Sequence, residues 1–257
     1  MATETRSRTP AIGPTAALLV ALALALVVPV LIWYGWYRLV GYDRSTLTLA
    51  QVAQLAAAAG LAEALRLGWW RLGLTWRDLG HAVVVGALGY AAVALGAWLV
   101  NLVGDGNLRF ARASYDLWAF IDNWGLTAFG EELLFAGVLF TLVAGRLGAG
   151  RRWLAVPLVA LLFALAHLPG YLAIGHEGGA LLGRLGLNLA SWLVFGTMYA
   201  VSGNLWLVVV AHAATDYGLT PLVTQVPLLG LLFMTVLVLG AFWSPRRRAR
   251  RAGGASG

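Results

Sequence analysis

Gly130-Glu131-Glu132-Leu133-Leu134-Phe135-Ala136-Gly137 sets two adjacent carboxylates inside residues 125–145, a run otherwise apolar and long enough to cross a bilayer. A charged side chain at that depth costs at least ~2.5–3.5 kcal/mol on insertion scales, and neighbouring carboxylates also repel each other. Nothing in the packing of a membrane helix calls for such a pair. Ionisable side chains inside a membrane mark functional sites, and their partners belong on other helices. Two further runs supply them: Phe163-Ala164-Leu165-Ala166-His167 and His212-Ala213-Ala214-Thr215-Asp216.

The surrounding composition agrees with a membrane setting. The chain has 257 residues, 60% hydrophobic and 11% charged, against about 25% charged in soluble domains. Its net charge of +7 comes from arginine alone, since no lysine occurs. Five arginines fall between Arg246 and Arg251, which makes the charge a topology signal rather than a sign of nucleic-acid binding. The absence of cysteine excludes disulfides, thiolate zinc sites, a cysteine nucleophile and C-terminal prenylation of this chain.

Outward from the glutamates, hydropathy predicts an all-α, polytopic bundle of about eight transmembrane helices. The expected spans are 15–37, 46–68, 79–104, 125–145, 153–168, 180–201, 204–222 and 225–243. Residues 1–14 are expected to be a disordered tail, 15–244 the membrane domain and 245–257 a basic disordered tail. Trp33, Tyr34, Trp36 and Tyr37 end the first span as an interfacial cluster, and Trp69, Trp70, Arg71, Trp76 and Arg77 suit the membrane surface. The second span is interrupted by Gln51, Gln54 and Glu63 and also reads as an amphipathic surface helix. Residues 105–124 read as the longest polar loop.

Arginine placement favours both termini on the cytoplasmic side of a prokaryotic cell membrane. Arg66, Arg71, Arg77, Arg146, Arg151 and Arg152 then lie inside with the two tails, while Arg38, Arg44, Arg109 and Arg112 lie outside. In that frame Glu131, His167 and Asp216 meet in the outer half of the membrane. His212 and Asp216, spaced i,i+4, share one helix face. If 46–68 does not span, every later helix inverts, but the three helices still meet.

A carboxylate shielded from bulk water is a better base than an exposed one, and with a neutral imidazole it can deprotonate a water for attack on a carbonyl. A second histidine can donate to the resulting oxyanion. Alternatively, Glu131, His167 and His212 are a plausible three-ligand zinc set with an open fourth position. Both schemes predict hydrolysis of a peptide bond in or beside the membrane. Other protease patterns fail: Ala180 spoils a HExxH at His176-Glu177, Gly104-Asp105-Gly106-Asn107 does not match GxGD, and no serine stands in GxSxG. His81 and His176 read as surface residues, and Asn188 and Ser191 as packing contacts.

Glu131-Glu132 with Phe135 and Gly137, FxxxH at 163–167 and HxxxD at 212–216, in that order and each on its own apolar run, resemble the CPBP family. That is the CAAX-protease and bacteriocin-processing group of intramembrane endopeptidases, including the Rce1-type prenyl-protein proteases. The resemblance spans roughly 120–225. It implies Glu131 as general base with Glu132 in support, His167 helping to activate water, and His212 with Asp216 as the oxyanion or ligand pair. Asp216 stands where the family often has asparagine, and Ala136 where its EExxxR motif has arginine; Arg184 or an arginine of the 105–124 loop is a candidate substitute.

The implied partners are the lipid bilayer and a membrane-associated protein or peptide substrate, with no nucleic acid. Ala136 favours one alternative, a catalytically silent membrane adaptor or bacteriocin-immunity protein of the same fold. A proton-coupled transporter is a further alternative, because carboxylate–histidine chains also relay protons. Such transporters often show two related halves, and none are visible here.

Overall fold

The glutamate helix is longer than the hydropathy run that contains it. In the computed structural model, which describes residues 13–32, 44–103, 108 and 116–246, this helix (α4) runs Leu117–Leu147. Asp116 caps it, accepting a hydrogen bond from the Ala119 amide at 3.0 Å. Residues 117–124 are therefore helix and not loop, because the polar Asp122 is buried inside the bundle instead of facing water. Glu131 consequently lies near the middle of a 31-residue rod rather than one or two turns from its start.

The other helices are α1 Pro14–Val30, α2 Arg44–Ala64, α3 Trp76–Val103, α5 Ala155–Ala173, α6 Gly178–Ser202, α7 Leu205–Tyr217 and α8 Pro227–Phe242. Each expected span falls on one of them. Four stretches are long and apolar enough to cross a membrane: Trp76–Val103, Leu117–Leu147, Ala149–Ala173 and Gly178–Ser202. Thr15–Val30, Leu205–Tyr217 and Pro227–Phe242 are apolar but shorter. With α4 and its neighbours, these define an integral membrane protein. The aromatic cluster at 33–37, the arginines at 38, 109 and 112, and the chain before 13 and after 246 lie outside the described residues.

Helix α2 packs against α4. Its Thr48 hydroxyl donates to Asp122 of α4 at 3.0 Å, and its Gln51 amide bridges Asp122 and Thr127. Its three polar interruptions lower its hydropathy, yet two of the polar residues around them face a protein neighbour rather than lipid. Further along, α5 packs on α6, and α3 against both α7 and α8.

A second polar knot binds the opposite end of the bundle. Thr75 caps α3, its oxygen accepting from the Asp78 amide and its hydroxyl donating to Asp78 Oδ2 at 2.6 Å. Arg246 reaches both Asp78 carboxylate oxygens through Nε at 2.8 and 2.9 Å. Asn204 caps α7 and donates to the Asp78 carbonyl at 2.9 Å. Gly73, at φ +85°, lets the loop before α3 lie on the Gly203 carbonyl, where a Cβ would come within 2.2 Å of the oxygen. The first arginine of the expected disordered tail is therefore part of the bundle.

Candidate active site

The two glutamates lie between two π-helical turns of α4, Asp122–Thr127 and Leu133–Leu139, with only Ala128–Glu132 wound as regular α-helix. Such turns widen a helix locally and recur at functional sites. Gly130 fits beside them for a steric reason: a Cβ there would meet the Cβ of Leu55 at 3.3 Å, so α2 packs directly behind the carboxylates.

All five expected site residues converge. Glu131 Oε2 lies 3.7 Å from His167 Nε2 and 3.8 Å from His212 Nε2. Those distances exceed a direct hydrogen bond and suit a bridging water. Glu131 Oε2 is itself buried and without a hydrogen-bond partner. His212 Nδ1 stands 2.8 Å from Glu132 Oε1, and its Nε2 is 3.2 Å from Asp216 Oδ2. Glu132 is fully buried and His212 nearly so, Glu131 is partly buried with its side chain 16% exposed, and Asp216 opens toward the exterior.

Hydrogen bonding assigns the protons. His167 Nδ1 is 2.8 Å from the Phe163 carbonyl, which only accepts, so Nδ1 carries a hydrogen and Nε2 is the nitrogen turned toward Glu131. His212 sits between carboxylate oxygens at both nitrogens. Its Nδ1–H donates to Glu132, and a further proton is held between Nε2 and Asp216.

The phenylalanine of FxxxH has a physical task here. Phe163 packs 4.5 Å from the His167 ring and edge-on to His212 at 5.9 Å, while Phe195 stacks on His212 at 5.4 Å. The two imidazoles are thus set by one aromatic wall. Of the residues expected to be incidental, His81 is not merely superficial, because its ring nitrogen approaches the Asn204 amide at 3.3 Å. His176 packs edge-on to Tyr171, and Asn188 accepts from the Tyr171 hydroxyl at 3.2 Å.

The arginine position of the glutamate motif is closed. Ala136 is fully buried, Arg184 is exposed on α6, and no arginine pairs with Glu131 or Glu132 among the described residues. Histidine, not arginine, faces both acids. As for zinc, no set of three His, Asp or Glu side chains among the described residues converges with the spacing of metal ligands. The nearest approach, Glu131 with His167 and His212, has His212 Nε2 turned to Asp216.

Sequence reading passed over Asp122, Thr48 and Gln51, which line or flank a cavity of about 330 Å³ shared with Glu131 and His167. In the sequence Asp122 reads as part of the 105–124 loop. Nine residues separate it from Glu131, which in a regular α-helix sets the two on opposite faces; the π-helical turn Asp122–Thr127 changes that register, and both line the cavity.

A bundle of apolar helices with a carboxylate–histidine cluster buried inside it is an integral membrane protein built around intramembrane polar chemistry. Residues 113–218 match the family model of Rce1-like type II CAAX prenyl endopeptidases, and they contain all five site residues. This stretch is similar to the Rce1-like domain, and at the family level that domain is a CAAX-type protease. Neither the curated proteins nor the solved structures gave a match.

Proposed function

We propose that the protein is an intramembrane endopeptidase that hydrolyses a peptide bond with a water activated by Glu131 and His167. The observation that carries this reading is Glu131 Oε2, buried, unpartnered and within 4 Å of two imidazole nitrogens. A water between Glu131 Oε2 and His167 Nε2 gives its proton to Glu131 as its oxygen attacks the carbonyl carbon. The oxyanion that forms takes a hydrogen bond from His212 Nε2–H, which Asp216 holds beforehand. Glu131 then passes its proton to the leaving nitrogen, the C–N bond breaks, and a carboxylate and an amine depart. Glu132 acts through His212, fixing its ring by the 2.8 Å contact to Nδ1.

The arginines suggest which side the site faces. Arg71, Arg146, Arg151, Arg152 and Arg246 gather at the end of the bundle where Arg246 binds Asp78 and Arg146 binds Thr15. With that end cytoplasmic, His167 and Asp216 point toward the opposite face. A prenylated cytosolic tail does not reach that face, so the substrate is a membrane-embedded or exported peptide.

The test is proteolysis of a mixed membrane-peptide library by the purified protein in lipid nanodiscs. Glu131→Gln should lower cleavage by about 10²–10⁴-fold while expression and folding stay normal. Cleavage unchanged by that substitution sinks the assignment. Loss after chelation, with recovery on adding zinc, would replace the metal-free scheme with a Glu131–His167–His212 metal site. The buried Ala136 favours a second reading, a silent adaptor of the same fold. In that case Glu131→Gln leaves the cellular phenotype intact.

A further inference from the structure

The cavity beside Glu131 has a second polar end that the hydrolysis does not use. It lies between α1, α2, α4 and α5, with Glu131 and His167 on one part of its wall and Gln51, Asp122 and Thr127 on another. Leu24 of α1 helps close the apolar side. Asp122 is 6% exposed. Its Oδ1 accepts from the Thr48 hydroxyl at 3.0 Å and from the Gln51 amide at 2.8 Å. Both donors are neutral. They orient the carboxylate without cancelling its charge, and no cationic side chain pairs with it among the described residues.

A buried carboxylate held only by neutral donors at the wall of a cavity favours a cation inside that cavity. Asp122 precedes Glu131 by about 13 Å along α4, at ~1.5 Å per residue. An extended peptide covers that distance in about four residues of ~3.3–3.6 Å each. We propose that this cavity is a substrate subsite, in which Asp122 receives an arginine or lysine side chain about four residues from the bond cut at Glu131. The scissile position rests on the protease reading above; the cation preference does not. The same charge repels a free C-terminal carboxylate, so the bound peptide does not end at this point. Both α1 and α2, which supply the facing wall, lie outside the 113–218 match.

The probes are membrane-spanning Leu/Ala peptides with one arginine walked along the sequence, each paired with a twin carrying neutral citrulline at the same place. Binding is measured on Glu131→Gln protein in nanodiscs, and cleavage on the wild type. At one position, about four residues from the cut, arginine should raise binding and cleavage about tenfold over citrulline. Asp122→Asn should bring the twins to equality, and Asp122→Glu should keep them apart. Equal binding of the twins at every position overturns the subsite, and needs no Asp122 variant to do so. Arginine-selective binding without any wild-type cleavage upholds the subsite and overturns the protease reading instead.

Discussion

The bundle contains two buried polar clusters that treat their charges in opposite ways. At the arginine-rich end, Asp78 receives Arg246 on both carboxylate oxygens, Thr75 on one of them, and Asn204 on its backbone carbonyl. At the other, Glu131 and Glu132 each keep a buried Oε2 with no hydrogen-bond partner, and three carboxylates share two histidines. A saturated cluster minimises the cost of burying charge and fastens helices. An unsaturated one tolerates that cost because its free atoms are needed for something else. Satisfaction, more than burial, separates these two clusters.

The widest gap between the clusters should appear when Arg246 is removed. Arg246→Met strands a carboxylate that is 2% exposed, and breaking a buried pair this way costs on the order of 3 kcal/mol. We expect a clear fall in the thermal midpoint in detergent, with the folded fraction cleaving peptide at its normal rate. Lost cleavage at normal stability would place Arg246 in the chemistry and erase the distinction.

How much of this was legible beforehand differs between the clusters. Glu131, Glu132, His167, His212 and Asp216 were all readable, because ionisable residues inside apolar runs stand out against the insertion cost. The saturated cluster was not. Asp78 carries no motif of its own beside Trp76 and Arg77, and its partner lies 168 residues away in what reads as a free tail. The start of α4 is hidden from hydropathy for a related reason. Asp116 and Asp122 read as loop, whereas one caps the helix and the other is hidden behind α2. Hydropathy registers polar residues without showing whether a protein partner awaits them.

Glu132→Gln should move stability the other way. The amide keeps an oxygen for the His212 Nδ1–H and replaces a fully buried carboxylate charge by a neutral group, its NH2 standing where the unpartnered Oε2 was. A gain of about 1 kcal/mol is expected, with cleavage lowered at least tenfold because His212 loses its charged support. A thermal melt paired with a rate measurement on the same sample decides it. Destabilisation would mean that Glu132 belongs with Asp78 as a structural group.

The smallest effect is expected at Ser244, fully buried next to the saturated cluster. Its hydroxyl donates to the Ser202 carbonyl at 3.2 Å, which ties the end of α8 to the turn between α6 and α7. Ser244→Ala removes one neutral hydrogen bond, worth about 0.5–1.5 kcal/mol. The carbonyl left behind lies at a helix end, where local adjustment can partly satisfy it, so the lower half of that range is expected. Cleavage should not change, since the bond lies across the bundle from Glu131. A melt shifted by only a degree or two at constant activity would show that the saturated cluster yields its stability in separable steps. A collapse of the fold on losing one hydroxyl would show instead that Ser244, Asn204, Asp78 and Arg246 act as one cooperative unit, with each bond depending on the rest.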